Sequence, residues 1–441
     1  MHSRLTISIF LSTVLLSAAS PDVTVNWPQW RGPNSSGVAP DKNLPTEWSN
    51  SKNVAWKTAI PGKGYSSPIV WGNRIFLTTA IQGDLIPGRA KGKTHKLDGE
   101  DFVHPDAANW DHIQNIKLLS LDAQSGKILW ERTIIDGPMF DSSHSSGSYA
   151  SLTPVTDGKY VYSYFGTDGL FAHDFDGRQI WKFEPGPCGT VGVGYGASPA
   201  ISGNMILLQC DDDNGEYSAV IGVDKRTGKE AWRTKRPVTA GWSSPIVVGN
   251  QLLASGNEFV ISYDTATGKE LWRAKGLESN AVPTPVWKDD MVYFSSGQPV
   301  KITLAIRMGG SGDITDTPNM VWKHARGTGY TPSNIVYGDF LYLISDKGIL
   351  SCLDAMTGAV KYDNGRVPVP SRFSASPVAY DGKLFITSED GDTHVIAAGP
   401  EHKVLRTNSL DEPVMASPAI AGGGVYIRGV RNLYKISQMK Q

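Results

Sequence analysis

One short motif recurs along nearly the whole chain and constrains its fold more than any other feature. A serine or threonine is followed by proline and then by an apolar run that ends near a turn. The eight copies are Ser67-Pro68, Thr153-Pro154, Ser198-Pro199, Ser244-Pro245, Thr284-Pro285, Thr331-Pro332, Ser376-Pro377 and Ser417-Pro418. From the second copy onward the prolines are 40 to 47 residues apart, and the first step spans 86 residues. Short strands that recur every 40 to 50 residues or so are typical of β-propellers.

The residues that follow each proline indicate two antiparallel strands. In residues 68–77 and 245–253, a Gly-Asn pair separates two apolar runs. Glycine and asparagine both tolerate positive φ, which suits a tight hairpin turn. Proline fits the first position of a strand because that position need not donate a ladder hydrogen bond. The motif therefore predicts the two inner strands of a blade.

A second motif predicts the outer half of the blades. The pattern Asp-x-x-Ser/Thr-Gly-Lys, followed by tryptophan, occurs in residues 121–130, 223–232 and 263–272. The aspartate can accept hydrogen bonds from the turn amides, and the glycine takes the left-handed position. We expect the tryptophan to lie on the outer strand and pack against the neighbouring blade. Its regular spacing favours this role over stacking on a ligand.

The strand count indicates how the ring closes. The last blade begins at Pro418 and has room for about three strands, and an unassigned strand, residues 53–57, precedes the first blade. We predict an all-β fold: an eight-bladed β-propeller of four-stranded antiparallel blades, closed by this N-terminal outer strand. The propeller would span residues 53–441, with an insertion at about 81–115 and a segment, 20–52, packed on it.

Residues 1–19 have the features of a cleaved signal peptide. Arg4 precedes an apolar stretch, residues 5–16, and the small residues 17–19 provide a cleavage site. The stretch is shorter than the roughly 20 residues of a membrane-spanning helix, and a retained anchor is the alternative. No cysteine follows as a lipid-attachment site. We therefore expect a periplasmic or secreted protein without a transmembrane span after cleavage.

Charge and cysteine usage narrow the partners and the redox state. The formal net charge is −1 and the chain contains no Lys/Arg run, whereas nucleic-acid binders usually show a basic face. We expect no nucleic-acid partner, and a monomer.

Cys188 and Cys210 are close in sequence, and an exported chain could oxidise such a pair. Sequence spacing does not determine which cysteines form a disulfide. We expect Cys188, Cys210 and Cys352 all to be buried thiols.

The two motifs resemble those of the pyrroloquinoline-quinone (PQQ) repeat superfamily. Its consensus, Asp-x-x-Thr-Gly-Lys-x-x-Trp, is followed closely by residues 264–272, and the resemblance covers nearly the whole mature chain. Two branches are relevant: quinoprotein alcohol dehydrogenases with a PQQ–calcium site, and non-catalytic propellers such as the outer-membrane barrel-assembly protein BamB. The chain also resembles bacterial PQQ-binding-like β-propeller repeat proteins in its Trp-Pro-x-Trp-Arg-Gly-Pro segment, residues 27–33, and its Gly-Asp-Ile-Thr segment, residues 312–315.

The dehydrogenase branch implies a demanding site. PQQ needs an aromatic floor, a stacked lid, cations for its carboxylates and an aspartate that acts as a base. Its calcium ion needs six to eight oxygen ligands. The lid of that branch is a disulfide between adjacent cysteines, and this chain has no adjacent pair. PQQ and calcium are candidate cofactors on this resemblance, and neither is assigned.

Two polar stretches contain candidate metal ligands. Asp211 and Asp213 belong to the densest acidic cluster, residues 211–216, whose consecutive carboxylates do not match the EF-hand spacing. His104 and His112 lie in the insertion, at a spacing that matches no standard zinc motif. For residues 211–216 we favour the alternative of a solvated turn without a bound ion. For the insertion we favour a loop that binds a partner.

The strongest candidate site lies where the inner strands begin, at the mouth of the central funnel. Large or polar residues precede most copies of the Ser/Thr-Pro motif, so they should converge on one face. Aromatic rings and two arginines could hold an anionic, planar or carbohydrate ligand, and simple filling of the tapering ring is the alternative. The candidate ligand-binding residues are Tyr65, His144, Tyr149, Tyr195, Trp242, Asn280, Arg326, Tyr330, Arg372 and Phe373.

These observations favour a binding function. No Ser-His-Asp, Cys-His or paired-carboxylate arrangement stands out, so we predict no catalytic residues. We expect an exported, non-catalytic propeller that acts as a binding or assembly scaffold for a protein or saccharide in the cell envelope. The alternative is a PQQ-dependent alcohol or sugar dehydrogenase with an atypical cofactor site.

Overall fold

The structure is a computed structural model that describes residues 25–188, 191–239, 241–278 and 280–438. The predicted signal peptide, residues 1–19, lies outside the described residues. Eight sheets of four or five strands form the blades of the described chain, as the repeats predict. No helix within the described ranges is long and apolar enough to cross a bilayer.

Each blade is an antiparallel sheet whose strands follow one another from the central channel outward. Blades one to four consist of Ile69–Trp71, Arg74–Leu85, His112–Asp122 and Ile128–Pro138; Val155–Thr156, Tyr160–Tyr164, Leu170–Asp174 and Gln179–Phe183; Ala200–Ser202, Met205–Cys210, Ala219–Asp224 and Glu230–Lys235; and Ile246–Val248, Gln251–Ser255, Glu258–Asp264 and Glu270–Leu277. Blades five to seven consist of Val286–Lys288, Met291–Ser296, Ile302–Arg307 and Met320–His324; Ile335–Tyr337, Phe340–Ile344, Ile349–Asp354 and Val360–Arg366; and Val378–Tyr380, Lys383–Thr387, Asp392–Ala397 and Val404–Ser409.

Both ends of the chain contribute to the eighth blade. Its three inner strands are Ala419–Ala421, Gly424–Arg428 and Asn432–Ile436, and its outer strand is the N-terminal Val54–Ala59. The outer strand pairs antiparallel with the third strand. The prediction that an N-terminal outer strand closes the ring is confirmed.

Tryptophans on the outer strands connect neighbouring blades. The indole N–H of Trp130 donates to the carbonyl of Phe175, 2.9 Å away in the next blade. The same bond joins Trp56 to Ala123 at 3.3 Å, Trp181 to Lys225 at 3.0 Å and Trp322 to Ala355 at 3.1 Å. Each acceptor directly follows the aspartate of the Asp-x-x-x-Gly or related turn. Of the three motif tryptophans, Trp130 makes this bond, Trp232 packs on Gly268 of blade four, and the Trp272 ring lies 6.4 Å from the Phe294 ring of blade five. The expected packing against the next blade is therefore confirmed for all three.

The hydroxyl of the Ser/Thr-Pro motif connects the blades on the channel side. The amide of Ser67 donates to Thr153 Oγ1 at 2.9 Å. Equivalent bonds join Thr153 to Ser198, Ser198 to Ser244, Thr284 to Ser333, Ser333 to Ser376 and Ser376 to Ser417. In blade six the bonding hydroxyl is Ser333 and not Thr331, so the predicted sixth copy is wrong by two residues. Pro332 lies in the preceding loop, and Asn334 takes the proline position before the strand.

The segment before the first strand runs along the base of the ring, where the inner turns lie. Trp27 exchanges backbone hydrogen bonds with Val70 in blade one, and Ala39 donates to Ala379 in blade seven. Between them the buried guanidinium of Arg31 donates to the Asn334 carbonyl at 2.8 Å. The short 3-10 turn Pro33–Ser35 lies in the same segment. These contacts reach blades on several sides of the channel.

Two further elements lie outside the regular blades. Gly312–Asp313 adds a fifth, parallel strand to blade four, and the buried Ile314 that follows donates its amide to Arg273. The Gly-Asp-Ile-Thr segment is thus a structural link between blades four and five. The insertion in blade one contains the hairpin of His95–Leu97 and Glu100–Phe102.

A disulfide joins Cys188 to Cys210, with 5.4 Å between their Cα atoms. The expectation that both are free thiols is therefore wrong. Cys210 ends the second strand of blade three, and Cys188 lies in the loop that enters the same blade. The fold brings the two together although 22 residues separate them in sequence. Cys352 is a buried free thiol, as predicted.

Candidate functional site

The candidate site lies on the mouth face, formed by the loops between blades and by the loops between the second and third strands. Its described residues are 60–68, 81–115, 139–154, 165–169, 184–188, 191–199, 211–218, 236–239, 241–245, 256–257, 278, 280–285, 297–301, 325–334, 345–348, 367–377, 388–391, 410–418 and 429–431. The insertion, residues 81–115, is its longest loop. Ala107–Ala108 in the insertion pairs with Ser143–His144, which fastens the insertion to the loop that enters blade two.

A small pocket opens on this face between blades two and three. Three of the predicted site residues line it: His144, Tyr149 and Tyr195. Two aspartates, Asp141 and Asp168, line it as well, and the cavity volume is about 50 Å³. We call this cavity the mouth pocket. Its size suits the end of a side chain and not a whole sugar or quinone ring.

Asp141 is held rigidly in the wall of the mouth pocket. Its side chain is 1% exposed, and its Oδ1 lies 2.8 Å from His95 Nε2 in the insertion. The same oxygen accepts the amide of Ser142 at 2.7 Å. The backbone amide of Lys93 donates to Ser142 Oγ at 2.7 Å. The insertion therefore contributes to the electrostatics of the pocket although it does not line it.

The side chain of Asp168 has fewer polar contacts than that of Asp141. It ends the 3-10 turn Gly166–Asp168, and its Oδ1 accepts the amide of Phe140 at 2.9 Å. Burial raises the pKa of Asp168 to about 6; the Phe140 hydrogen bond opposes this rise and the charge of Asp141 adds to it. A carboxylate in this position ionises near neutral pH and is poorly solvated when charged.

The two tyrosines of the mouth pocket are fixed by their hydroxyl groups. Tyr149 donates to the Asp141 carbonyl at 2.9 Å, and Tyr195 donates to Thr167 Oγ1 at 2.9 Å. Burial raises the pKa of both phenols, so both are neutral at physiological pH. Their rings form fixed aromatic walls beside the two aspartates.

The remaining predicted residues spread around the mouth face. Trp242 adjoins the pocket, since its indole N–H donates to the Gly194 carbonyl at 3.2 Å. Asn280 and Tyr330 form a second pair, joined by a side-chain hydrogen bond. The amide of Tyr330 donates to Asp346 Oδ1 at 2.8 Å.

The other four predicted residues neither line the mouth pocket nor belong to the Asn280–Tyr330 pair. Tyr65 is half-buried and its amide donates to Ala150. Arg372 is exposed, and Phe373 is 1% exposed and packs against other core side chains. Arg326 forms an ion pair with Asp363 on an outer strand, at 3.1 Å. The predicted residues therefore form two local groups and not one ring, and their role in ligand binding stays a prediction.

Sequence reasoning missed the two aspartates of the mouth pocket. Asp141 stands three residues before His144, which was predicted, but its neighbours Ser142 and Ser143 are typical of any polar loop. Asp168 lies in the loop between the second and third strands of blade two, which contains neither of the two repeat motifs. Nothing in their local patterns separates these aspartates from turn-forming ones.

The candidate metal ligands have other partners. Asp211 lies 3.3 Å from the Arg236 guanidinium, and both side chains are fully buried. Burial nevertheless raises the pKa of Asp211 to about 6. Asp213 accepts the amide of Val191 at 2.5 Å. The ion pair with Arg236 means that Asp211 is not a free metal ligand.

The histidines of the insertion are also engaged locally. His112 Nδ1 lies 2.7 Å from Asp111 Oδ1, and His104 Nδ1 accepts the amide of Asp106 at 3.1 Å. Across the described ranges, no group of three or more His, Cys, Asp or Glu side chains is arranged to hold a metal ion. The described residues therefore offer no cluster of three carboxylates for a calcium ion, and PQQ and calcium stay candidate cofactors on the resemblance alone.

Solved structures resemble the fold at low sequence identity. BamB from Moraxella catarrhalis superposes with a TM-score of 0.53 at 15% identity, over 81% of this chain and 99% of that one. Quinohemoprotein alcohol dehydrogenase from Comamonas testosteroni gives 0.64 at 11% identity, over 96% and 82%. The computationally designed protein Ika8 gives 0.54 at 13% identity, over 80% and 98%. At these identities the similarity shows the fold alone.

Sequence comparison is more specific. No curated protein matches the chain. The profile of the family described as outer membrane protein assembly factor BamB matches residues 114–364, more than half of the chain. This stretch runs from the third strand of blade one to the outer strand of blade six. The chain therefore belongs to the family described as outer membrane protein assembly factor BamB.

Proposed function

We propose that the protein is an exported, non-catalytic propeller whose mouth face binds a protein partner in the cell envelope. The observation that carries this proposal is the distribution of exposed apolar side chains. Of the eleven large apolar residues exposed among those described, six lie on or beside mouth-face loops. They are Leu85, Val103, Phe140, Tyr217, Val300 and Val369. Leu85 and Val103 belong to the insertion, the longest loop of this face, and exposed apolar side chains on such a loop support contact with a protein partner.

Two further observations support a partner outside the cytoplasm. The Cys188–Cys210 disulfide is typical of proteins that fold in an oxidising compartment. The family name describes an assembly factor of the outer membrane, which favours a protein over a saccharide as the partner. Long loops on a rigid propeller are also where binding residues usually lie.

A PQQ-dependent dehydrogenase is the other candidate function. Its support is the fold that the chain shares with quinohemoprotein alcohol dehydrogenase. The described residues do not supply the donor set that a PQQ–calcium site requires.

Site-specific photocrosslinking in the native host tests the proposed function. A photoreactive amino acid would replace Val103, which is 49% exposed on the insertion, or Phe140, which is 39% exposed in the loop that enters blade two. The matched control position is Leu129, which is 42% exposed on an outer strand. We expect a discrete adduct with one envelope protein from position 103 and none from the matched control at position 129. Equal labelling from positions 103 and 129 would reject the mouth face as the binding surface. The absence of any adduct from positions 103 and 140 would reject it as well.

A further inference from the structure

We propose that the mouth pocket receives the ammonium group of a lysine side chain presented by the protein partner. This inference rests on the proposed function and deepens it. The pocket combines the carboxylate of Asp168 with the aromatic walls of Tyr149 and Tyr195. An alkylammonium ion is attracted both to a carboxylate and to the faces of aromatic rings.

The carboxylate of Asp168 has room for a further donor. Its Oδ1 accepts the Phe140 amide, and no other hydrogen bond to this side chain is found in the parts of the chain that the structure describes. A partly buried carboxylate is costly when charged unless a cation or several donors compensate it. A ligand that brings a positive charge into the pocket would provide that compensation.

The cations already near Asp168 are engaged elsewhere. Lys93 donates to the Phe140 carbonyl at 2.8 Å, and its ammonium lies 3.6 Å from the centre of the Phe140 ring. Lys182 forms an ion pair with Glu184 at 2.8 Å. His95 is directed at the other aspartate, Asp141. These groups weaken the negative potential of the pocket without occupying it.

The size of the mouth pocket selects among cations. A volume of about 50 Å³ admits an ammonium head group and its last methylene groups but not a nucleotide or a sugar. Lysine carries a compact charge on a flexible stem, whereas the planar guanidinium of arginine needs a wider slot. A divalent metal ion is disfavoured because the described residues offer no group of three ligands. Lysine is therefore the side chain that fits best.

Titration with a lysine analogue tests the inference. The purified mature chain would be titrated with Nα-acetyl-lysine methylamide and with the neutral analogue Nα-acetyl-norleucine methylamide, followed by saturation-transfer NMR. We expect weak, saturable binding of the lysine probe only. Asp168→Asn keeps the acceptor for the Phe140 amide but removes the charge, so it should weaken binding about tenfold. Asp176→Asn, at an exposed turn on the base, should leave it unchanged.

The outcomes separate this inference from the proposed function. Equal binding of the two probes by the wild-type protein would overturn the inference, and this comparison does not depend on the folding of a variant. Equal binding of the lysine probe by wild type and by a folded Asp168→Asn protein would overturn it as well. In either case an adduct from position 103 would still support the mouth face as the binding surface. Probe binding without adducts from positions 103 and 140 would instead reject the protein partner.

Discussion

The disulfide between Cys188 and Cys210 ties the wall of the mouth pocket to the framework of blade three. The Cys188 carbonyl accepts a hydrogen bond from the hydroxyl of Tyr195 at 3.1 Å, and Cys210 ends a strand. The covalent bond therefore anchors the loop that carries an aromatic wall of the pocket. The loop that carries Tyr195 is thus fastened close to the point where it enters blade three.

Removal of this disulfide should lower stability. The bond closes a loop with a separation of 22 residues, which corresponds to about 3 kcal/mol of unfolding free energy in the chain-entropy model. The variant Cys188→Ser/Cys210→Ser should therefore lose about 2 to 4 kcal/mol in urea unfolding. Its stability should not respond to reductant, whereas that of the wild type should fall on reduction. Equal stability of oxidised and reduced wild type would contradict the role assigned to the bond.

Glu412 should be among the most sensitive polar residues of the ring closure. It is 1% exposed and accepts hydrogen bonds from Asn432 and from the Tyr434 hydroxyl, both in the strand that pairs with the N-terminal strand. Glu412→Leu would leave these donors buried without an acceptor and should cost about 3 kcal/mol or more. Thermal unfolding measures this loss, and Glu401→Leu at an exposed site is the control.

The pKa of Glu412 gives this prediction a pH dependence. Burial raises its pKa, but the hydrogen bonds from Tyr434 and Asn432 outweigh burial, and the net pKa is lowered. The stability that Glu412 contributes is thus present above its unfolded pKa of about 4.3 and is lost as the pH falls through the lower folded value. The difference between wild type and Glu412→Leu should shrink in acid. A difference that grows in acid would be inconsistent with this account.

The buried pair Asp211 and Arg236 should behave as one unit. Asp211→Asn leaves a fully buried guanidinium without its counter-ion and should cost about 3 to 5 kcal/mol. The double variant Asp211→Leu/Arg236→Met removes both charges and should recover most of that loss. Urea unfolding of single and double variants measures the coupling. If the double variant is as unstable as Asp211→Asn, the two side chains act separately.

Asp168 should make the wild type relatively less stable as the pH rises. Its folded pKa of about 6 lies above the unfolded value of about 3.9. A contribution that is fully present below pH 4 or so is therefore lost as the pH rises through about 6. In calorimetry from pH 4 to pH 7, the melting temperature of the wild type should fall relative to that of Asp168→Asn. A parallel or opposite pH dependence would refute the raised pKa.

The repeats of the sequence carried almost all of the information about the fold. Proline and the turn residues set strand starts and hairpins by local stereochemistry, and the tryptophans mark outer strands because their rings pack against the next blade. The error at blade six has the same origin. Thr331-Pro332 has the local pattern, but the tertiary structure uses Ser333, whose hydroxyl reaches the neighbouring blade.

The candidate site was less predictable because it depends on contacts between loops that are distant in sequence. His144, Tyr149 and Tyr195 were found through their positions before inner strands, whereas Asp168 gained its environment only from folding. The Cys188–Cys210 bond likewise depends on where a strand ends in space, and spacing along the chain carries no such information.

The most direct test of a non-catalytic role is a calorimetric titration of the purified protein with PQQ, with and without calcium. We predict no binding heat and no thermal stabilisation in either condition, because the described residues do not form a calcium ligand set. Calcium-dependent, tight binding near a one-to-one ratio would contradict this account. The protein would then be assigned to the quinone-dependent dehydrogenases.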